Sequence, residues 1–279
     1  MTSTLLTWNI QWGLGVDRRR DPARIVAHAR ALADFDVLCV QEVAAGFDDL
    51  EGLDGADGFA ELRALLPDHE AVEAIAVDLP REGGGRRRFG NMIFSRWPVL
   101  RVMRHALPWF GDAHSNMPRV LLEATLAAPD GPLRVMTTHL EYFSPELRMA
   151  QAEGIRAAHA QAASRARLAP APLPGPFAPH PESARAILCG DFNMRPDDPA
   201  KARLEAPLVD APPLRDAWRA LHGAAAHPHS FCVHDQRYGP PHCCDFVFVT
   251  DDLVPRLRAV RYDVETQVSD HQPVVVTLA

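Results

Sequence analysis

The stretch RAILCGDFNMRP (185–196) runs apolar from Ala186 to Cys189 and then breaks into Gly190, Asp191, Phe192 and Asn193. An interior strand has no use for a carboxylate and an amide two residues apart, because each must be hydrogen-bonded, ligated or solvated when buried. A bound ligand would satisfy both, with Gly190 allowing a tight turn at the strand end. The same ending recurs elsewhere. TLLTWN (4–9) finishes at Asn9, DVLCVQE (36–42) at Glu42 and LRVMTTHLE (133–141) at His139, while SDHQPV (269–274) opens the last apolar run with Asp270 and His271. Strands whose carboxyl ends share one rim would bring these side chains together.

These runs belong to a larger set. Residues 4–10, 36–42, 90–95, 119–127, 133–140, 185–192, 245–250 and 273–278 each have the length and apolar or β-branched content of a strand. Two helices interrupt them. Asp21-Pro22 is an N-cap and first-turn pair followed by Ile25, Ala29 and Leu32, and Ser144-Pro145-Glu146 opens a second helix with Leu147, Ala150, Ile155 and Ala158 on one face. Both are one-sided, so each should cover a sheet from outside. Residues 48–58 read as a surface excursion. The Pro- and Ala-rich segment 168–183 reads as an extended connector rather than a domain linker, since the residues on either side of it serve one site, and the expectation is a single domain over 1–279.

The composition, 47% hydrophobic and 23% charged over 279 residues, excludes global disorder. A net charge of −7 excludes a basic field that would hold long nucleic acid non-specifically. The runs Arg18-Arg19-Arg20 and Arg86-Arg87-Arg88 read as solvated loops before they read as a local basic groove. There is no signal-peptide pattern and no window approaching the ~20 apolar residues of a membrane span. The five cysteines form an odd set, and Cys39 and Cys189 lie inside strand-like runs, so the expectation is reduced thiols, no membrane anchor and a cytoplasmic protein.

Carboxylates with amides, and no converging thiolates, suit a hard cation such as Mg²⁺ or Mn²⁺. Histidines supply proton transfer, and Asn side chains donate to phosphate oxygens without adding charge; phosphoester hydrolysis uses all of these parts. His227, His229, His234 and His242 lie near Cys232, Cys243 and Cys244, but no C-x₂-C or H-x₃-H pair of structural-zinc type is present.

Taken together, TWNIQ (7–11), QE (41–42), GNMIFSRWPV (90–99), TTHLE (137–141), GDFN (190–193), CDFVFV (244–249) and SDHQPV (269–274) resemble the endonuclease/exonuclease/phosphatase superfamily, in family order and across nearly the whole chain. Its members include DNase I, exonuclease III-type abasic-site endonucleases, neutral sphingomyelinases and inositol-polyphosphate 5-phosphatases. The resemblance implies an α/β fold, a four-layer αββα sandwich of two mixed β-sheets with the site at one rim. It implies a divalent-metal-dependent phosphoesterase that cleaves a phosphodiester by in-line attack of an activated water. Glu42 is then the main metal ligand, with Asn9 and Asp270 close to the metal or its waters. Asp191 aligns or deprotonates the water, Asn193 donates to a phosphate oxygen, and His271, oriented by Asp245, shares the general-base assignment with Asp191. His139 stands near the phosphate or leaving group.

Arg119 either contacts phosphate or is a surface residue at a strand edge. Two features depart from the family pattern. Cys243 stands where many relatives carry an arginine two residues before the Asp, and the carboxylate partner of His139 is open between Glu141 and Glu123. THLEYFSPELRMAQAEGIR (138–156) resembles tyrosyl-DNA phosphodiesterase 2-like members, which favours a nuclease or a nucleic-acid end as substrate. The acidic charge and the missing arginine favour the alternative, a phospholipid headgroup, an inositol phosphate or another small phosphoester. A non-catalytic scaffold is disfavoured, since no catalytic position is substituted. Trp109, Phe110, Tyr142, Phe143 and Tyr238 are expected in loops near the rim, to stack on a base, hold a lipid tail or simply pack. No protein partner is implied.

Overall fold

Consecutive side chains of a strand point to opposite faces, and here both faces of the central strands are buried, which is why the runs read as continuous rather than alternating. The computed structural model describes residues 2–279 apart from 112, 114, 169 and 170. They form two six-stranded sheets. The first runs β11 (Leu257–Tyr262), β12 (Val274–Leu278), β1 (Ser3–Asn9), β2 (Val37–Ala45), β4 (Arg86–Ser95), β3 (Glu70–Pro80). The second runs β5 (Val99–Ala106), β6 (Val120–Ala128), β7 (Gly131–His139), β8 (Ala186–Asp191), β10 (Asp245–Thr250), β9 (Leu214–Asp216). Each is mixed, because β1 is parallel to β2 and β7 to β8 while the other pairings are antiparallel.

The sheets meet face to face. Leu5, Val37, Cys39 and Ile93 of the first share a core with Leu122, Val135, Ile187, Cys189 and Val247 of the second. Their sequence neighbours Leu6, Leu38, Val40 and Phe94 face outward onto Ile25 and Ala29 of α1 (Pro22–Leu32) and Phe59 and Leu62 of α2 (Gly58–Leu65). On the far side, Leu121, Met136, Leu188, Phe246 and Phe248 face Ala152 and Ile155 of α3 (Pro145–Ala166) and Leu204 of α4 (Pro199–Glu205). This is the α/β four-layer αββα sandwich that the motifs implied.

Both expected helices begin where their caps stand: Asp21 accepts from the Arg24 N–H and Ser144 from the Leu147 N–H, each with proline at the first position. Four strands, β3, β5, β9 and β11, and three helices, α2, α4 and α5 (Ala217–His222), were not expected. The longer of these strands lie at or beside sheet edges with charged, half-exposed residues, as edge strands do when they avoid pairing with other chains, so they carry no apolar run. Four of the six arginines in the two runs are neutralised by ion pairs, Arg18, Arg20, Arg86 and Arg88 with Glu51, Glu61, Asp78 and Asp57. Among the described residues no helix is long and apolar enough to cross a membrane.

One buried ion pair stands apart from the apolar core. Under α3, Arg134 donates to both oxygens of Glu123 at 3.1 and 3.2 Å, and His105 lies 3.3 Å from the same carboxylate. Burial pushes the Glu123 carboxyl up, but the His105 hydrogen bond and the Arg134 charge outweigh it and hold it down to about 2. Because the folded value lies below the unfolded one, Glu123 stabilises the fold at neutral pH and loses that contribution as pH falls from the ordinary glutamate range toward 2. Glu123→Gln is expected to destabilise by about 3–5 kcal/mol at pH 7, since it leaves the buried Arg134 charge uncompensated. Urea denaturation at pH 7, 4 and 3 checks this, and the gap to wild type should narrow at the lowest pH.

Candidate active site

Strand register brings the site together. Across the second sheet, His139 of β7 is paired with Asp191 of β8, which is paired in turn with Asp245 of β10. In the first sheet, Asn9 of β1 is paired with Gln41 of β2, next to Glu42. Just below the rim, the Gln41 amide donates to Thr7 Oγ1 at 3.1 Å and across the sandwich to Thr137 Oγ1 at 2.8 Å.

Backbone strain concentrates here. The β2–β4 register shifts between Val40 and Val43, and within this bulge Glu42 takes φ +61°, which turns its carboxylate toward the rim. Glu42, Gln11, Trp12 and Asn193 are four of the seven non-glycine residues with positive φ among those described, and all four line one cleft. Gly190 serves differently from expectation. It is not at a turn but inside β8, at φ +135°, where a Cβ would lie 2.1 Å from the Thr138 carbonyl oxygen of β7. Only glycine permits that approach.

The cleft holds about 270 Å³ and is lined by Glu42, Arg119, His139, Asp191, Asn193, Asp270 and His271, with Gln11, Trp12, Met117, Tyr142, Phe143, Phe231 and Tyr238 around them. The Asn9 amide nitrogen donates to Glu42 Oε1 at 3.1 Å and to Asp191 Oδ2 at 2.9 Å, while its oxygen accepts from the Gln11 N–H. Asn9 therefore ties the two carboxylates together across the sheets. His271 Nδ1 lies 2.9 Å from Asp245 Oδ2, and its Nε2 lies 3.6 Å from Asp191 Oδ2. His139 reaches Asp191 Oδ2 at 3.6 Å and Glu42 Oε1 at 3.8 Å. The Asn193 N–H donates to Asp191 Oδ1 and its side chain to the Leu140 carbonyl, both at 2.9 Å.

Neither carboxylate considered for His139 faces it. Glu141 lies 3.7 Å from Arg119, and Glu123 is taken by Arg134. Arg119 is no surface residue: it is buried, and its Nε and Nη1 have no hydrogen-bond partner. Cys243 is buried in the core with its thiol toward the Asp245 carbonyl and Tyr262, away from the cleft. Arg148 and Gln151 of α3 hold the backbone of Glu141 and Tyr142 and do not enter the first cleft. Tyr142, Phe143 and Tyr238 stand at the cleft as expected; Trp109 and Phe110 do not line it. His227, His234 and His242 bond to Asp216, Val264 and Pro240, so the histidines of that segment do not gather. Gln11 closes the TWNIQ motif but was given no role, and Trp12, Ser230 and Phe231 lie outside the quoted motifs.

The charges of the cleft are unbalanced. Burial, with Asp270 adding to it, pushes Glu42 up to about 7. Burial also leaves Asp270 above its ordinary value despite His271. Burial opposes the charge on Asp191 too, but His271 and His139 outweigh it and hold that group below the usual range. Burial disfavours the charged form of His271, yet Asp245 and Asp191 raise it well above normal, whereas burial and Arg119 bring His139 down to about 3. Carboxylates pushed up by burial, with their neighbours' charges adding to it, are the environment a cation relieves. Glu42, His139 and Asp191 each offer a ligand atom within 4.8 Å of the others, an oxygen-rich set that fits Mg²⁺ or Mn²⁺. Asp191, Cys244 and His271 form a second such group, but the buried Cys244 thiol is held well above its ordinary range and stays protonated.

Residues 6–271 match the model of the Endonuclease/Exonuclease/phosphatase family. The chain belongs to this family. No curated protein matches it in sequence. Among solved structures, an endonuclease/exonuclease/phosphatase from Beutenbergia cavernae is 25% identical with a TM-score of 0.68, over 99% of this chain and 71% of that one. D. rerio TDP2 complexed with a single-strand DNA product is 19% identical, with a TM-score of 0.66 over 100% and 99% of the two chains. Mannosyl-6-phosphatase Bt3783 from Bacteroides thetaiotaomicron is 16% identical, with a TM-score of 0.64 over 99% of each chain. These last two share the family fold.

Gly190→Ala tests how the rim is built. Strain at positive φ and the collision with Thr138 should cost at least about 1–3 kcal/mol, seen as a lower urea midpoint. An unchanged midpoint would mean that β7 and β8 can separate at the rim without penalty.

Proposed function

We propose that this family member is a divalent-metal-dependent phosphodiesterase, a nuclease or an enzyme of nucleic-acid ends. The observation that carries the reading is the convergence of Glu42, Asp191 and His271, joined through Asn9, at the cleft that Arg119 also lines. Glu42 is assigned as the main ligand, with Asp270 and Asn9 beside the metal. A divalent cation bound there would neutralise negative charge as it develops on the phosphoryl oxygens. Asp191, held by Asn9 and the Asn193 N–H, aligns the attacking water and accepts its proton. His271, its Nδ1 held by Asp245, presents Nε2 to the phosphoryl group or takes part in the same proton transfer. Arg119 and Asn193 bind non-bridging oxygens, and neutral His139 stands toward the leaving group.

A diester is preferred to a monoester because the cleft opens past Asn193, Tyr142, Phe143 and Tyr238 into a second basin of about 550 Å³, giving room for a group beyond the phosphate. The exposed rings of Phe143 and Tyr238 offer stacking surfaces for bases. A small phosphoester, such as a phospholipid headgroup or an inositol phosphate, is the second reading, favoured by the net charge of −7 and by the ion-paired arginine runs. We also assign the activity to one domain over 1–279 in a reducing cytoplasm, in keeping with five buried, unpaired cysteines.

Hydrolysis of bis(p-nitrophenyl) phosphate against p-nitrophenyl phosphate, with Mg²⁺ or Mn²⁺ and with EDTA, tests the reading. Diester cleavage abolished by EDTA is expected. Asp191→Ala and His271→Ala should each lower kcat by about 10²–10⁴, Glu42→Ala should raise the metal concentration needed for half-activity, and Arg119→Ala should raise KM. Monoester preference, or turnover indifferent to EDTA, would overturn it.

A further inference from the structure

We infer that Phe231, held by Ser230, is a positioning residue that fixes the imidazole of His271 for catalysis; the inference rests on the proposed phosphodiesterase reading. The Phe231 ring stacks on the imidazole face with centroids 4.4 Å apart and planes at 27°. The Tyr238 ring lies near-parallel to it at 6.1 Å and 17°, and the His242 ring meets it edge-to-face at 5.5 Å and 90°. Phe231 is itself buried and packed against two further rings.

The backbone is pinned equally well. Ser230 is fully buried, and its hydroxyl accepts from the N–H groups of Cys244 and Asp245, both at 3.0 Å. Its carbonyl accepts from the Gln272 N–H at 2.7 Å, one residue beyond His271. One residue therefore holds the backbone of Asp245 and of Gln272, next to His271, and the next lays a ring on the imidazole. With Nδ1 on Asp245 and one face on Phe231, the edge left to the cleft is Nε2, toward Asp191 and Asn9. A hydrogen bond at Nδ1 alone would let the ring swing about that contact; the stack removes this freedom.

Phe231 also lines the cleft, so a direct substrate contact is the rival role. Steady-state kinetics on bis(p-nitrophenyl) phosphate separate the two. Phe231→Leu should lower kcat about 10- to 100-fold with KM held, and Phe231→Tyr, which keeps the ring, should recover most of the loss. In a His271→Ala background Phe231→Leu should change kcat by no more than about twofold, because nothing remains to position. Loss confined to KM, or an equal loss in both backgrounds, overturns the inference. A second measurement needs neither turnover nor the leucine variant. The His271 ring protons, assigned by their disappearance in His271→Ala, should resonate upfield in wild type from the Phe231 ring current, and ordinary positions would overturn the stack. Absence of metal-dependent turnover in wild type would instead defeat the phosphodiesterase reading and leave the resonance test standing.

Discussion

The Asn9 amide does something no other residue in the rim can do. Glu42 belongs to one sheet and Asp191 to the other, and carboxylates brought close in a buried place repel each other and lose hydration. A neutral side chain with two N–H groups, placed between them, satisfies one oxygen of each without adding charge. A lysine would satisfy them too, but its charge would cancel the negative field of the cleft. The placement depends on both sheets at once, so the site exists only while the sandwich is intact. Gln41, bridging Thr7 and Thr137 just beneath, sets the separation of the sheets at the same level.

Around this contact the rim is built from conformations that a chain avoids elsewhere. The bulge at Glu42, the left-handed Asn193 and the close approach of Gly190 to β7 each have an energetic cost, and each aims a polar group that regular pleating would have directed elsewhere. A regular β2 would have sent alternate residues to the inter-sheet core and to the helices. The extra residue breaks that alternation just where a carboxylate must leave both. The cost is borne by the apolar surface buried below, where every central strand is covered on both faces.

That double burial also explains what could be read from the sequence. Strands covered on both sides appear as uninterrupted apolar runs, and a functional residue at the end of such a run is conspicuous because nothing about strand packing requires it. The polar ends at Asn9, Glu42, His139, Asp191 and His271 stood out for this reason, and the fold gathers them at one rim. Edge strands such as β3 and β5 were not, because their charged outer residues erase the run. Positions set by distant contacts were equally hidden. Cys243 lies two residues before Asp245 yet points into the core, because it precedes β10, where the regular alternation that would put both on one face does not hold. Glu141 follows the histidine motif closely but turns to Arg119. Ser230 and Phe231 lie in a segment without periodicity, and their role arises from partners at 242–245 and 271–272 that only folding supplies.

The electrostatics of the cleft bear on how a protein of net charge −7 can accept an anion. Global charge acts over distances that salt screens, whereas a phosphate in the cleft responds to the groups within a few ångströms. Those groups are Glu42, Asp191 and Asp270 against Arg119 and His271, the latter already engaged by Asp245. The carboxylates outnumber the free cations, and burial, with Asp270 adding to it, displaces Glu42 up to about 7. Protonation relieves it only by discharging a ligand, while a divalent cation relieves it and reverses the sign of the field met by the substrate. Arg119 alone, buried beside Glu141, is too nearly neutralised to do this. On the proposed function, the acidic rim is therefore compatible with an anionic substrate: the carboxylates would hold a divalent cation, which would supply the positive charge that Arg119 alone lacks.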